Sequence, residues 1–500
     1  MKYYTFQMKY PIMLLIAITI NINVMAINHV DTNKVANSLE NMPDSLTLHL
    51  KPWRVSKRIF NINKYGAKND GKTINTKAIQ RAIDACTRKG GGKVVISEGD
   101  YVTGTIVLKS NVILEIFKGA RLLGSLSLAD YPNKVEGMRS IMRDVHKYSQ
   151  SLIYAEKATN IGICGEGEIY FRGEKANFPG QETIGGIKDR PFGIRMIQCS
   201  NIVIKDITLR NSAAWMQNYL CCDNLIFDNM TVLNHGNYNN DGIDPDGCSN
   251  VIIRNCHISS EDDTLCLKTA GGRACENILI ENCVLYSTCN AFKFGTDTQG
   301  NFRNIIGQKL TLGGFPDKSD SFRGRGDCST GITIETVDGG NIENIMIENV
   351  NIDRARCPIF LYIADRSRTL DGTKVPAGYM KDIVIRNVKG KNNGIQGSLI
   401  TGIPEKHIQD VYIGNVYFQT CGGGEASITN KPVPVRVYYP DAQDFSRNGL
   451  PSYGFYIRYV DGIVLDNVSV QPVSDDRRPC FKVDNSNASI HVKACQNTPR

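Results

Sequence analysis

Short runs in which apolar and polar residues alternate recur along this chain, and each run opens and closes on a residue suited to a turn. Copies begin at Asn201, Asn224, Asn250, Asn277 and Asn344, with large apolar side chains at the second and fourth positions. Asp206, Asn229, Asn255, Asn282 and Asn349 stand at the sixth. Looser copies begin at Asp382, Asp410 and Gly462. Alternating β-rich runs broken by Asn, Asp and Gly predict strands joined by turns. With strands in every coil, a repeat of roughly 25 residues predicts a single-stranded parallel β-helix, an all-β solenoid. A leucine-rich repeat would need regular leucines and an Asn ladder in one register, which the β-branched runs do not lead one to expect.

A solenoid must be closed at its ends, because an open coil exposes unpaired backbone and apolar interior. Between residues 76 and 88, Ile79, Ala82, Ile83 and Cys86 fall at helical spacing, and Gly90, Gly91 and Gly92 follow as a stop. This segment predicts a short helix capping the N-terminal end. Ahead of it, Lys2 and Lys9 precede an apolar run over 12–20, and Val24, Met25 and Ala26 offer a small-residue cleavage site. Residues 1–26 are therefore expected to be a secretory signal, too short to span a bilayer comfortably. No Cys sits at the cleavage point, so a lipid anchor is not expected. Residues 27–53 carry little pattern and are assigned as a lead-in, leaving 54–495 as one β-helix domain. Export to the periplasm or the medium is expected, with no integral membrane segment once the signal is removed.

Candidate chemistry comes from two acidic clusters nearly one repeat apart: Asn239, Asn240, Asp241, Gly242, Ile243 and Asp244, then Glu261, Asp262 and Asp263. Stacked coils bring equivalent positions of neighbouring repeats together, so Asp241 is expected within several ångströms of Asp262 and Asp263. Like charges held that close shift one another's proton affinities, which lets an acid and a base coexist at neutral pH. Glycoside hydrolysis needs that pair, a carboxylic acid for the leaving oxygen and a carboxylate for water. Adjacent residues on a regular strand face opposite ways, so the strand must end or bulge for Asp262 and Asp263 both to face a cleft. Asp244 is as readily expected to turn inward and bond backbone. His235 and His257 flank the acidic motifs, and a structural place in a turn is the expected role of each.

These residues carry a resemblance. The stretch 59–71 with the helix after it looks like the start of a polygalacturonase or pectate-lyase-superfamily β-helix. Residues 192–263 are similar to glycoside hydrolase family 28, best at Thr208 to Ser212 with Trp215, at 239–246 and at 260–268. The resemblance implies a right-handed β-helix and inverting hydrolysis of pectin. It also implies Asp262 as general acid, with Asp241 and Asp263 together holding the attacking water. Two positions depart from the family's pattern. Asn290 stands where the family has a supporting His, and Thr333, Ile334 and Glu335 stand where it has an Arg-Ile-Lys that grips a uronate. Asn239, Lys268, Asn290, Lys293 and Glu335 are the candidate substrate-binding residues, with Lys293 placed to pair with Glu335 or to replace the missing cation. The departures point to altered subsite chemistry: an unusual pectic side chain, a neutral sugar, or a uronate bound in another orientation.

The remaining features refine this picture. The segment from Arg436 to Tyr459 is rich in aromatic residues, fitting an insertion packed on the solenoid or a wall of the cleft. Loops 312–328 and 365–381 are long enough to close one end of the cleft, which would favour exo action. The chain has 16 Cys residues in no small-domain framework, and Cys256 with Cys283 suits stacked buried thiols. The net charge of +8 is compatible with an acidic polymer partner, but basic residues form no stripe of the kind nucleic-acid modules use. The expected partner is a pectic polysaccharide or oligosaccharide, acted on by a monomer without cofactor or metal. A polysaccharide lyase is the alternative enzyme, with Arg273 and Arg303 as loose candidates for its base, and a non-catalytic carbohydrate-binding β-helix is the third reading.

Overall fold

The computed structural model describes residues 56–133, 138, 140, 150–180, 189–437, 439–446 and 448–486. The expected signal 1–26, the lead-in 27–53 and both limits of the 54–495 domain lie outside the described residues.

Each coil of the chain contributes strands that pair in parallel with the coils before and after it, and the stack is a right-handed parallel β-helix. One 20-stranded sheet wraps two sides of the solenoid. In the C-terminal half the two sides are crossed by single long strands such as Cys275–Ser287, Phe302–Gly313 and Ile342–Asp353. The third side is built from a five-stranded and a seven-stranded sheet. They meet where Asp244–Asp246 faces Leu265–Leu267, joined by the isolated bridges Ile243 to Leu265 and Asp246 to Lys268. We call this third side the site face.

The turn residues read from the sequence occupy the corners. Asn201, Asn224, Asn250, Asn277, Asn304 and Asn344 all have φ between 55° and 58°, and Asn229, Asn255, Asn282 and Asn349 lie between 51° and 56°. Asn enters this left-handed region more cheaply than other side chains, which is why it recurs once per corner. The amides also bond from coil to coil: Asn201 donates to Asn160 at 2.9 Å, Asn224 to Asn201 at 3.1 Å and Asn304 to Asn277 at 3.1 Å. At the other corner Asn282 donates to Asn255 at 2.8 Å and Asn415 to Asn387 at 3.1 Å. The chain thus has two Asn ladders, so the expectation that β-branched runs lack one was wrong. The β-helix stands on its parallel three-sided stack.

Inside the stack, residues two apart face the core: Leu225 and Phe227, Val251 and Ile253, Ile278 and Ile280 are all 0 % exposed. Each such aliphatic side chain contributes about 1.5–3 kcal/mol by leaving water. The capping helix runs Thr76–Arg88 and buries Ala78, Ile79, Ala82, Ile83 and Cys86 against the first coils. Its last turn closes by Gly91 N–H donating to the Cys86 carbonyl at 2.9 Å, and Gly91 has φ of 98°, a turn that needs glycine. Cys256 and Cys283 are buried free thiols. Among the described residues no helix is long and apolar enough to cross a membrane.

Candidate active site

The outward residues of the site face stack in rows across neighbouring strands. One row runs Arg195, Asn218, Asp244, and a second, across the junction, runs Cys266, Lys293, Thr333, Phe360, Leu399, Tyr456. The first half of the face is therefore polar and charged and the last part apolar. The acidic motifs sit at the junction of the two sheets. The strand His257–Ser260 ends before Asp262, and the next, Leu265–Leu267, starts after Asp263. That interruption frees both carboxyls from strict alternation, as the sequence required. The Gly242 and Ile243 amides donate to the Asp263 and Thr264 carbonyls at 2.9 and 3.0 Å, which brings the Asp241 turn alongside. Asn234 Nδ2 donates to the Asp241 carbonyl at 2.9 Å and fixes that turn.

The carboxyls are not equivalent. Asp263 accepts from Asn290 Nδ2 at 2.6 Å and lies 3.2 Å from Lys293 Nζ. Burial works against its charge, but Lys293, Lys268 and the Asn290 amide together hold its carboxyl below the ordinary value. Asp262 is pushed the other way, by burial and by the neighbouring Asp263 charge, with Arg323 and Lys293 opposing. Asp241 is raised further by burial and by Asp244 and Asp262, despite Lys268. The arrangement places a carboxyl of raised proton affinity beside one of lowered proton affinity, the direction that acid and base roles need. Asn290, which stands where the resemblance places a His, also accepts from Thr330 Oγ1 at 2.6 Å. That bond turns its amide donor toward Asp263.

The two lysines are enclosed rather than solvated. Lys268 is 4 % exposed, with Nζ 3.7 Å from both Asp241 and Asp244 and 4.6 Å from the Trp215 ring centre. Asp244 thus does not bond backbone, as expected for an inward residue: it faces Lys268, and burial raises its proton affinity. Lys293, also buried, lies 3.8 Å from Glu335 and 3.6 Å from Asp441. Glu335 is 0 % exposed and pushed up to about 8 by burial, with Lys293 opposing. The expected Lys293–Glu335 pairing is present, inside the wall of the site rather than on an open surface. Asn239 lies at the rim, its Oδ1 accepting from Arg190 Nη2 at 2.7 Å.

Two loops and one excursion surround these groups. Residues 314–327 dock on the side from which the chain enters the site strands. There Arg323 Nε reaches Glu261 at 2.9 Å, and Phe322 meets the Tyr238 ring at 5.1 Å. Residues 364–379 dock on the exit side, with Arg366 Nε 3.0 Å from Asp338, the Leu370 amide 3.0 Å from Gln299, and Leu370 packed beside Trp215. The two long loops therefore flank the face, and the excursion over 423–454 covers its C-terminal part. The aromatic segment splits accordingly: Phe445 packs on Phe360 and Tyr362, while Tyr453, Phe455, Tyr456 and Tyr459 belong to or adjoin the strand Phe455–Arg458. His235 Nε2 is 2.7 Å from Ser259 Oγ and its ring lies on Phe315, and His257 meets Tyr286 edge-on. Arg273 and Arg303 are committed to Asp223 and Glu276. Asp262, Asp263 and Cys289 bring possible ligand atoms within 4.8 Å of one another, but Asp263 is already taken by Lys293 and Asn290. Sequence reasoning missed Asp441, and Arg323 with its pairing to Glu261. Asp441 lay in a segment noticed for its rings, and Arg323 carries no signal short of the folded loop.

Comparison with known proteins bears on the same coils. The family model "Glycosyl hydrolases family 28" matches residues 109–289, and one described as "Rhamnogalacturonase A/epimerase, pectate lyase-like" matches 59–117. An exo-poly-alpha-D-galacturonosidase of Dickeya chrysanthemi is 24% identical over 412 residues, covering 70% of this chain and 65% of that relative's length. A probable polygalacturonase of Vitis vinifera is 25% identical over 376 residues, covering 70% of this chain and 72% of the relative. The structure of a Yersinia enterocolitica family 28 exopolygalacturonase superposes with a TM-score of 0.62 at 19% identity, over 89% of this chain and 79% of the other. The family match spans both acidic motifs, the fold is shared along most of the chain, and over the matched coils the protein is similar to glycosyl hydrolases family 28.

Proposed function

We propose that this protein is an exported glycoside hydrolase that cleaves glycosidic bonds in a pectic polysaccharide or oligosaccharide with inversion. The observation that carries the reading is the split between neighbouring carboxyls, Asp262 biased toward its protonated form and Asp263 toward its ionised form. Asp262 would protonate the leaving oxygen. Asp263 would take the proton of the attacking water, with Asp241 holding that water in place. Asn290, Lys268, Lys293 and Glu335 would fix these carboxyls and shape the sugar site, and Asn239 would border it. Relatives named exo-poly-alpha-D-galacturonosidase and polygalacturonase favour a galacturonate-containing substrate, and the covered C-terminal side favours exo action. With Glu335 in the wall, a uronate would be bound by other contacts than the family's Arg-Ile-Lys. The predicted N-terminal signal supports export.

The test is sugar release from homogalacturonan, rhamnogalacturonan backbone and complex side-chain oligosaccharides, with Asp262→Asn alongside. Saturated products that disappear in the variant are expected. Release that survives the substitution, or an unsaturated product absorbing in the ultraviolet, would refute the reading.

A further inference from the structure

The excursion over 423–454 leaves the solenoid after the strand Ile408–Gly422 and returns at Phe455–Arg458. It is fastened at several points. Ala442, Phe445 and Leu450 pack with Val337, Cys357, Phe360, Tyr362 and Leu399 of the apolar part of the site face. Gln396 Nε2 donates to the Ala442 carbonyl, and the Leu450 amide donates to the Gln396 carbonyl at 3.1 Å. The short helix Ala442–Phe445 is thereby pinned, and the residue just before it is Asp441. Asp441 is 7 % exposed, with Oδ1 3.6 Å from Lys293 Nζ.

Lys293 is therefore shared among three carboxyl groups from three parts of the chain: Asp263 at 3.2 Å, Asp441 at 3.6 Å and Glu335 at 3.8 Å. A lysine has a long flexible stem and a compact charge, so its position is set by what holds it. We propose that Asp441 is a positioning residue of the active site, fixing the Lys293 ammonium beside Asp263 and adding negative charge next to Asp262. The proposal rests on the hydrolase reading above for its functional meaning, but not for its test.

Asp262 is faced by charges from every element around it. Asp263 on its own turn and Asp441 on the excursion favour its protonated form, while Arg323 of loop 314–327 and Lys293 of Asn290–Phe294 favour the carboxylate. Asp241 on the preceding coil is coupled to it by like charge, and the Cys289 thiol lies close by. Removing the Asp441 charge takes one raising influence away and leaves Lys293 less neutralised. Both effects make Asp262 a stronger acid.

The experiment is a carboxyl ¹³C titration of the full chain labelled at aspartate, with the Asp262 signal assigned by its loss in Asp262→Asn. In Asp441→Asn the Asp262 midpoint is expected to move to lower pH, on the order of half a unit, and Asp441→Glu should restore it. Lys293→Met is expected to move it upward. If the Asp441→Asn midpoint coincides with wild type or rises, or if Asp441→Glu behaves like Asp441→Asn, the proposal is overturned. On an active pectic fraction, the alkaline limb of the kcat profile should follow the same shifts. Release that persists in Asp262→Asn would sink the hydrolase reading alone, and an unmoved midpoint in Asp441→Asn would sink this proposal alone.

Discussion

The two ends of the site face have the same backbone and opposite chemistry. From Asn218 to Glu335 the outward positions carry Asp244, Lys268, Lys293 and Glu335, and from Phe360 to Tyr456 they carry Phe360, Tyr362, Leu399 and Tyr456. Both parts are shielded from water. In the first, shielding raises the cost of every charge and so forces charges to share partners. In the second, it supplies the apolar contact that fastens the excursion. The β-helix ladder thus serves one part as a frame for unequal carboxyls and the other as a dock, and the docked segment returns Asp441 to the first.

If that division holds, substitutions in the two parts should fail in different ways. Asp262→Asn should lower turnover by roughly 10²–10⁴-fold, the usual worth of a general acid, with an unchanged urea midpoint; an unfolded variant would erase the distinction. Phe445→Ala should act on stability, costing about 3 kcal/mol by urea unfolding and opening 423–454 to limited proteolysis. Unchanged protease resistance would show that the excursion is held by something else.

Shielding in the polar part also makes stability depend on pH. The folded-state value of Glu335, about 8, lies above its ordinary value of 4.5, with burial as the main cause. The folded state therefore binds the extra proton between those values, and this group's contribution to stability falls as pH rises through that window. Glu335→Gln should remove the loss, so urea midpoints at pH 5.5 and 8.5 should differ less in the variant than in wild type. An equal difference would show that Glu335 is ionised throughout. The smallest expected effect lies off the site face. Asn415, in the left-handed corner with φ of 52°, should cost about 1–2 kcal/mol on substitution by Ala, less by Gly, with turnover untouched.

The fold was legible because its corners impose a residue type. A left-handed corner once per coil selects Asn, so the Asn201, Asn224, Asn250 and Asn277 spacing announced the stack, although the bonding between those amides was not anticipated. The capping helix was legible from Ile79, Ala82, Ile83 and Cys86 because an amphipathic face must be spaced that way. Asp241, Asp262 and Asp263 were legible because one repeat separates them. What stayed hidden depends on contacts without periodicity. Nothing near Asp441 in sequence indicates Lys293, and nothing near Arg323 indicates Glu261. The burial of Lys268 and Lys293 was hidden because it comes from groups distant in sequence, Trp215 beside the one and Asp441 beside the other. The side that Asp244 faces stayed open because alternation cannot be counted through an interrupted strand.

The central claim is that Asp262 and Asp263, as unequal neighbours, drive water onto a glycosidic bond. Proton NMR of the first sugar released from the active pectic fraction tests it most directly, read before the anomers equilibrate. The account predicts a saturated product whose new reducing end appears first as the anomer opposite to the bond cleaved. A product that first retains the configuration, or one carrying a double bond, would contradict it.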